Sequence, residues 1–186
     1  MKQPATKQAR ELKAGKLRKL PETSEGELKD WRLGRLLGRG SFGLVFAARE
    51  RKTGYPGAIK VMDRSRIKAT SINREHTVLE ALGDHPGVVR YLGTYKTWAT
   101  VSFAMERVTG GELFEYLIHT GAMTEEQARA SFVPVLRALA YLHGGAGSGD
   151  AIVHRDLKPE NLLLVPVDRS RRQVHRFREK LKAAAR

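Results

Sequence analysis

The chain has 186 residues, no cysteine and a formal net charge of +14, with 41% apolar and 29% charged residues. The apolar share excludes a wholly disordered chain, no apolar run nears the ~18 residues of a membrane span, and no apolar stretch follows the first lysines as a secretory signal requires. Without cysteine there is no disulfide scaffold, cysteine-rich zinc site or thiol nucleophile, and an intracellular, cytoplasmic setting is expected.

Residues 1–27 hold Pro4, Pro21 and no steady apolar period, and read as a basic tail and linker. The first twenty positions carry seven Lys/Arg against Glu11. From Trp31, apolar residues alternate on both sides of a glycine cluster, which predicts two strands joined by a turn. Thr53–Gly57 is the next turn signal, and Ala58–Met62 reads as a third strand. Thr70 or Ser71 is expected to cap a helix with Ile72, Val78, Leu79 and Leu82 on one face, ending at Gly83. Val88–Tyr95 and Thr100–Glu106 read as two further strands. After Gly110-Gly111 the period turns helical over Glu112–Ile118, then over a longer helix to about His143. That second helix opens on Thr124-Glu-Glu-Gln127, a capping-box pattern. Pro134 within it is expected to kink or break it, at about 3 kcal/mol if unaccommodated. Residues 166–186 carry eight Lys/Arg against Asp168 and Glu179, and Gln173–Ala185 has helix-favouring composition.

The two ends therefore hold +12 of the +14. A folded domain that grips nucleic acid carries its charge on the folded surface, so the charge pattern argues against one. The order β-β-β-α-β-β, then helices, predicts an α+β fold: a five-stranded antiparallel sheet with one helix, joined to a helical region.

Three motifs carry chemistry. Gly38-Arg39-Gly40-Ser41-Phe42-Gly43 could line phosphate oxygens with backbone N–H groups or form a tight hairpin. A dinucleotide site needs a helix directly after the glycines; here a strand through Val45 follows, so the loop reads as a flap over phosphates. Lys60 ends a short apolar strand, and a partly buried lysine needs a partner. Glu75 on the following helix is the best candidate, against the alternative of two surface residues. The third motif is His154-Arg155-Asp156-Leu157-Lys158-Pro159-Glu160-Asn161, the catalytic-loop pattern of protein kinases.

With that motif the chain resembles a eukaryotic-type serine/threonine protein kinase, in the style of the calcium/calmodulin-dependent group, over about residues 28–164. Lys158 gives the serine/threonine form of the loop. The resemblance implies an N-lobe over about 28–108, the start of an incomplete helical C-lobe over 109–164, and a segment 165–186 outside the kinase pattern. It implies ATP and Mg²⁺ as cofactors and Ser/Thr residues of proteins as substrate. Gly38, Gly40, Ser41 and Gly43 would cover the triphosphate. Leu37, Val45 and Ala58 would roof the adenine slot, with Leu163 as its floor. Met105 would be the gatekeeper, Glu106 and Val108 would offer backbone groups to adenine, and Glu112 would face the ribose or a basic substrate residue. Lys60, oriented by Glu75, would hold the α/β-phosphates. Asp156 would orient the substrate hydroxyl and accept its proton, Lys158 would balance charge on the γ-phosphoryl, and Asn161 would hold one Mg²⁺.

Four features depart from the family. Gly57 stands where a branched apolar residue usually precedes Ala58, which is expected to loosen the strand. Pro134 interrupts a helix. Gly144–Ala151 is longer and richer in glycine than the usual link to the catalytic loop. No Asp-Phe-Gly follows Leu164 or occurs anywhere in the 186 residues, which suggests a chain truncated after the catalytic loop and inactive as it stands. Two readings remain: a kinase domain in partial form, or a non-catalytic nucleotide-binding or scaffolding remnant with basic tails.

Overall fold

The computed structural model describes residues 28–40, 42–147 and 149–166. Both basic ends, the helix expected over Gln173–Ala185, and Ser41 lie outside the described residues. Five strands form one antiparallel sheet: β1 (Trp31–Gly40), β2 (Gly43–Glu50), β3 (Pro56–Asp63), β4 (Tyr91–Lys96) and β5 (Thr100–Glu106), in the order β1-β2-β3-β5-β4. The helix α1 (Ala69–Ala81) lies between β3 and β4 in sequence. Two helices follow, α2 (Leu113–Thr120) and α3 (Glu125–His143), then a short 3-10 turn at Pro159–Asn161. No helix among the described residues is long and apolar enough to cross a membrane.

Period-two alternation along β3 divides the sheet core into two faces. Ile59 and Val61 join Trp31, Phe46, Ala48 and Ala104 in one buried cluster. Met62 joins Val101, Phe103 and Ile72 of α1 in the other. Full burial of each large apolar side chain contributes roughly 1.5–3 kcal/mol, so β3 and β5, central and apolar on both faces, anchor the sheet. Trp31 bridges the first cluster from end to end. Its indole N–H donates to the Tyr95 hydroxyl at 2.9 Å, linking edge strand β1 to edge strand β4.

That ring also accounts for Gly57. The strand is continuous through it. A Cβ placed on Gly57 would run into the Trp31 ring, 2.7 Å from its Cη2. The indole occupies the space that a branched side chain would fill.

The helices depart from expectation in detail. α1 begins earlier than Thr70 or Ser71: its N-cap is Lys68, with no side-chain cap bond. Ser71 and Ile72 both donate backbone N–H groups to the Lys68 carbonyl, which carries the first turn without a hydroxyl. Of the expected apolar face, Ile72 is buried, Leu79 and Leu82 are half-buried, and Val78 is exposed. The strand expected from Val88 starts at Tyr91, because the Val88 N–H closes a turn on the His85 carbonyl. α3 runs unbroken through Pro134. Pro134 and Ala130, whose carbonyl loses its partner, are both exposed, so water can take the bond.

The capping box at the start of α3 forms as expected. Gln127 N–H donates to Thr124 Oγ1 at 3.2 Å, and Thr124 N–H donates to Gln127 Oε1 at 3.0 Å. Thr124→Ala is expected to lower unfolding stability by about 1 kcal/mol in urea titrations, the usual loss for an N-cap hydroxyl.

Candidate active site

Strand register places the first half of the site. On β3, Ala58 and Lys60 point to the same face, two residues apart. Ala58 lies opposite Ala47 on β2 and Met105 on β5, and Lys60 lies opposite Val45 and Phe103. Val45, Ala58, Lys60 and Met105 are thus brought to one face, each half-buried. The Lys60 ammonium meets the Glu75 carboxylate of α1 at 2.5 Å, with side chains 21% and 27% exposed. This settles the choice left open by sequence: the two are partners. The Phe42 ring also lies 5.8 Å from Lys60 Nζ, a cation–π distance. Sequence reasoning missed Phe42, although it sits inside the glycine motif.

Gly38 and Gly40 end β1, and Gly43 opens β2, with Gly40 paired to Gly43. Leu37 on β1 is exposed. Glu106 is engaged: its N–H donates to the Arg90 carbonyl, and its carboxylate accepts from the Arg90 N–H, both at 2.9 Å. Only its carbonyl is therefore a candidate for adenine. Val108 is half-buried just beyond.

The second half is the loop from His154 to Asn161. Asn161 Nδ2 donates to the Asp156 carbonyl at 2.6 Å and to Asp156 Oδ2 at 2.9 Å. Lys158 Nζ lies 3.1 Å from Asp156 Oδ1, and the Asp156 N–H donates to His154 Nδ1 at 3.3 Å. Arg155, directly before Asp156, has φ of +66°, a left-handed conformation that non-glycine residues adopt at a cost. The Asn161 amide and then the Lys158 ammonium hold the Asp156 carboxyl below its ordinary value. A carboxyl lowered in this way contributes stability above its unfolded value, lost as pH falls through the folded one. Asp156 is exposed, so the effect on stability is small. Asn161→Ala is expected to move the Asp156 titration midpoint upward, read by carboxyl-carbon NMR.

A short ladder joins the halves. Gly110 N–H donates to the Leu164 carbonyl at 3.0 Å, Leu113 N–H to the Leu162 carbonyl at 2.8 Å, and Leu164 N–H to the Gly111 carbonyl at 2.9 Å. Glu112 and Leu163 pair as an isolated antiparallel bridge. Glu112 is exposed and is the N-cap of α2; Leu163 is exposed beside it. The chain leaving the His154–Asn161 loop is thereby docked against the chain leaving β5. Nothing local in the sequence signals this pairing.

The residues fit a magnesium nucleotide on their donor chemistry. Among the described residues no cluster of three His, Cys, Asp or Glu could cage a metal unaided. Mg²⁺ commonly binds through one or two protein oxygens plus substrate phosphates. The Asn161 amide donates through its nitrogen, which leaves Oδ1 as the hard oxygen donor.

Residues 31–174 match the family described as the protein kinase domain, a match that continues past Leu164. CBL-interacting protein kinase 33 of Oryza sativa subsp. japonica is 38% identical over 138 residues, 72% of this chain and 29% of that protein. CBL-interacting protein kinase 32 of the same organism is 38% identical over 138 residues, 72% of this chain and 30% of that protein. The chain thus spans under a third of the length of these relatives. Among solved structures, Rad53 in complex with AMP-PNP matches with a TM-score of 0.66 and 34% identity, covering 76% of this chain and 36% of that one.

Proposed function

The chain belongs to the protein kinase family, and from that premise we propose that its site binds Mg-ATP for phosphoryl transfer to serine or threonine residues of proteins, in an intracellular, cytoplasmic setting. The observation that carries the reading is the Lys60–Glu75 pair at 2.5 Å on the same sheet face as Val45, Ala58 and Met105. A lysine fixed by a carboxylate beside an apolar shelf suits α/β-phosphates below an adenine ring. Ala58, Val45 and Leu37 would cover the base, Leu163 would support it, and the backbone of Glu106 and Val108 would bond its edge. Gly38, Gly40, Ser41 and Gly43 would close over the phosphates, and Glu112 would meet the ribose or a basic substrate residue. Asp156 would align the acceptor hydroxyl and take its proton; Lys158 would face the γ-phosphoryl. Asn161 Oδ1 would hold one Mg²⁺, whose role when bound is to neutralise phosphate charge. Positioning and charge neutralisation carry most of the catalysis in this chemistry. The organisation proposed is an N-lobe over 28–108 and the beginning of a C-lobe over 109–164, between basic ends.

A second reading has a specific observation behind it. The 186 residues contain no Asp-Phe-Gly, so they supply one metal-holding side chain of the two the family uses. A nucleotide-binding chain without transfer activity is the alternative. Thermal shift with Mg-ATP tests binding. Lys60→Met is expected to weaken nucleotide affinity roughly 10- to 100-fold, the worth of one charge-assisted contact. Equal shifts in parent and variant would overturn the assignment of Lys60. Radiolabel transfer from γ-labelled ATP to a Ser/Thr peptide then separates the enzyme from the binder.

A further inference from the structure

On the sheet side α1 is held by Ile72, by half-buried Leu79 and by His76, whose ring stacks on Phe103 at 6.1 Å. Ile72 is its sole buried residue, its N-cap has no side-chain bond, and its last turn has no basic residue. Its carboxyl end is instead completed from the second lobe. The Ala81 carbonyl accepts from the Gly147 N–H at 3.1 Å, and the Leu82 carbonyl accepts from the Tyr141 hydroxyl at 2.8 Å. Both carbonyls are among those a helix end leaves without intrahelical partners. Gly147 belongs to the glycine-rich stretch after α3 that is longer than the family pattern.

The fit there demands glycine at Gly83 and leaves little room for a side chain at Gly147. Gly83 has φ of +58°, and a Cβ on it would lie 2.5 Å from the Tyr141 hydroxyl. A Cβ on Gly147 would lie 3.1 Å from Gly83 Cα and 3.2 Å from the Ala81 carbonyl oxygen. The next residues continue the seam: His85 stacks on Tyr141 with centroids 4.8 Å apart, and Gly87 abuts Ala138.

We propose that Gly147, packed on Gly83 and bonded to Ala81, clamps the carboxyl end of α1 to the second lobe and so positions Glu75 for Lys60. From Glu75 to Ala81 is about 9 Å along the helix axis at 1.5 Å per residue, so tilting at the clamp moves the carboxylate directly. Gly147 is a positioning residue, and its role in nucleotide binding rests on the reading of Lys60 given above.

The test is Gly147→Val, with Gly147→Ala as the milder variant, in the full 186-residue chain. Two measurements are made. Amide hydrogen exchange is expected to lose protection over Glu75–Ala81 while β3 and β5 keep theirs. Mg-ATP affinity is expected to fall about 5-fold, the low end of coupling between sites, and to fall by no further factor in a Glu75→Gln background. A clamp with no bearing on Glu75 would lower affinity equally in both backgrounds, and that result overturns the proposal. Unchanged exchange in α1, or equal loss across the sheet, also overturns it. If the parent binds no nucleotide, the nucleotide reading fails on its own, and the exchange measurement still decides whether the clamp holds α1.

Discussion

Gly57→Val is expected to destabilise the chain by roughly 1–3 kcal/mol, the usual penalty for overpacking a filled site, even though valine is the better strand residue. Strand preference favours valine by at most about 1 kcal/mol. Against it stands the Trp31 ring, which a new Cβ would overlap. The ring has little room to retreat: it is 5% exposed and tied through its N–H to Tyr95. Steric exclusion therefore wins. In a Trp31→Leu background the same substitution should cost much less, because the smaller side chain vacates the space. A double-mutant cycle by urea unfolding is expected to return a coupling of about 1–3 kcal/mol. Additive effects would show that the indole does not occupy the valine site.

The second large effect is expected at Gly110. A Cβ there would collide with the Leu164 carbonyl, 2.6 Å from its carbon. The ladder from Gly110 to Leu113 and Leu162 to Leu164 would part, with three backbone hydrogen bonds at stake, each worth about 1 kcal/mol net. Gly110→Ala is therefore expected to cost up to roughly 3 kcal/mol. Gly111→Ala is the informative neighbour. Gly111 has φ of +87° with no atom near a would-be Cβ, so its alanine variant costs only the added backbone strain, about 1–2 kcal/mol. Exchange of the Leu113 and Leu164 amides would separate the two: rapid in the Gly110 variant, slow in the Gly111 variant. The reverse order would show that the ladder does not depend on close approach.

Elements with a strong local signature were legible in the sequence. β5 occupies Thr100–Glu106 as its alternation indicates, and the Thr124 capping box is declared by residues three apart. The pairing of Lys60 with Glu75 could be proposed because a lysine ending an apolar strand needs a nearby anion. The start of α1 is not legible, because hydroxyl residues signal caps, whereas Lys68 begins the helix with its backbone carbonyl alone. The onset of β4 is hidden because Val88 and Val89 read as strand residues, while a turn from His85 holds Val88. The role of Gly57 was hidden for a different reason. Its complement, Trp31, lies on a strand that does not pair with β3, so no window along the chain contains both halves of the fit. The ladder and the Gly147 contact are long-range in the same sense.

The two tryptophans of this chain sit in opposite surroundings, and that makes the protein its own optical probe. Trp31 is sealed in the sheet core beside Tyr95, whereas Trp98, on the turn between β4 and β5, is 82% exposed. Native emission should therefore be the sum of a short-wavelength, quencher-resistant component and a long-wavelength component open to iodide or acrylamide. Unfolding should shift the first and leave the second almost unmoved. With Trp98 replaced by phenylalanine, the remaining fluorophore would report one event alone: the loss of the side-chain bridge that draws the two outer strands of the sheet together.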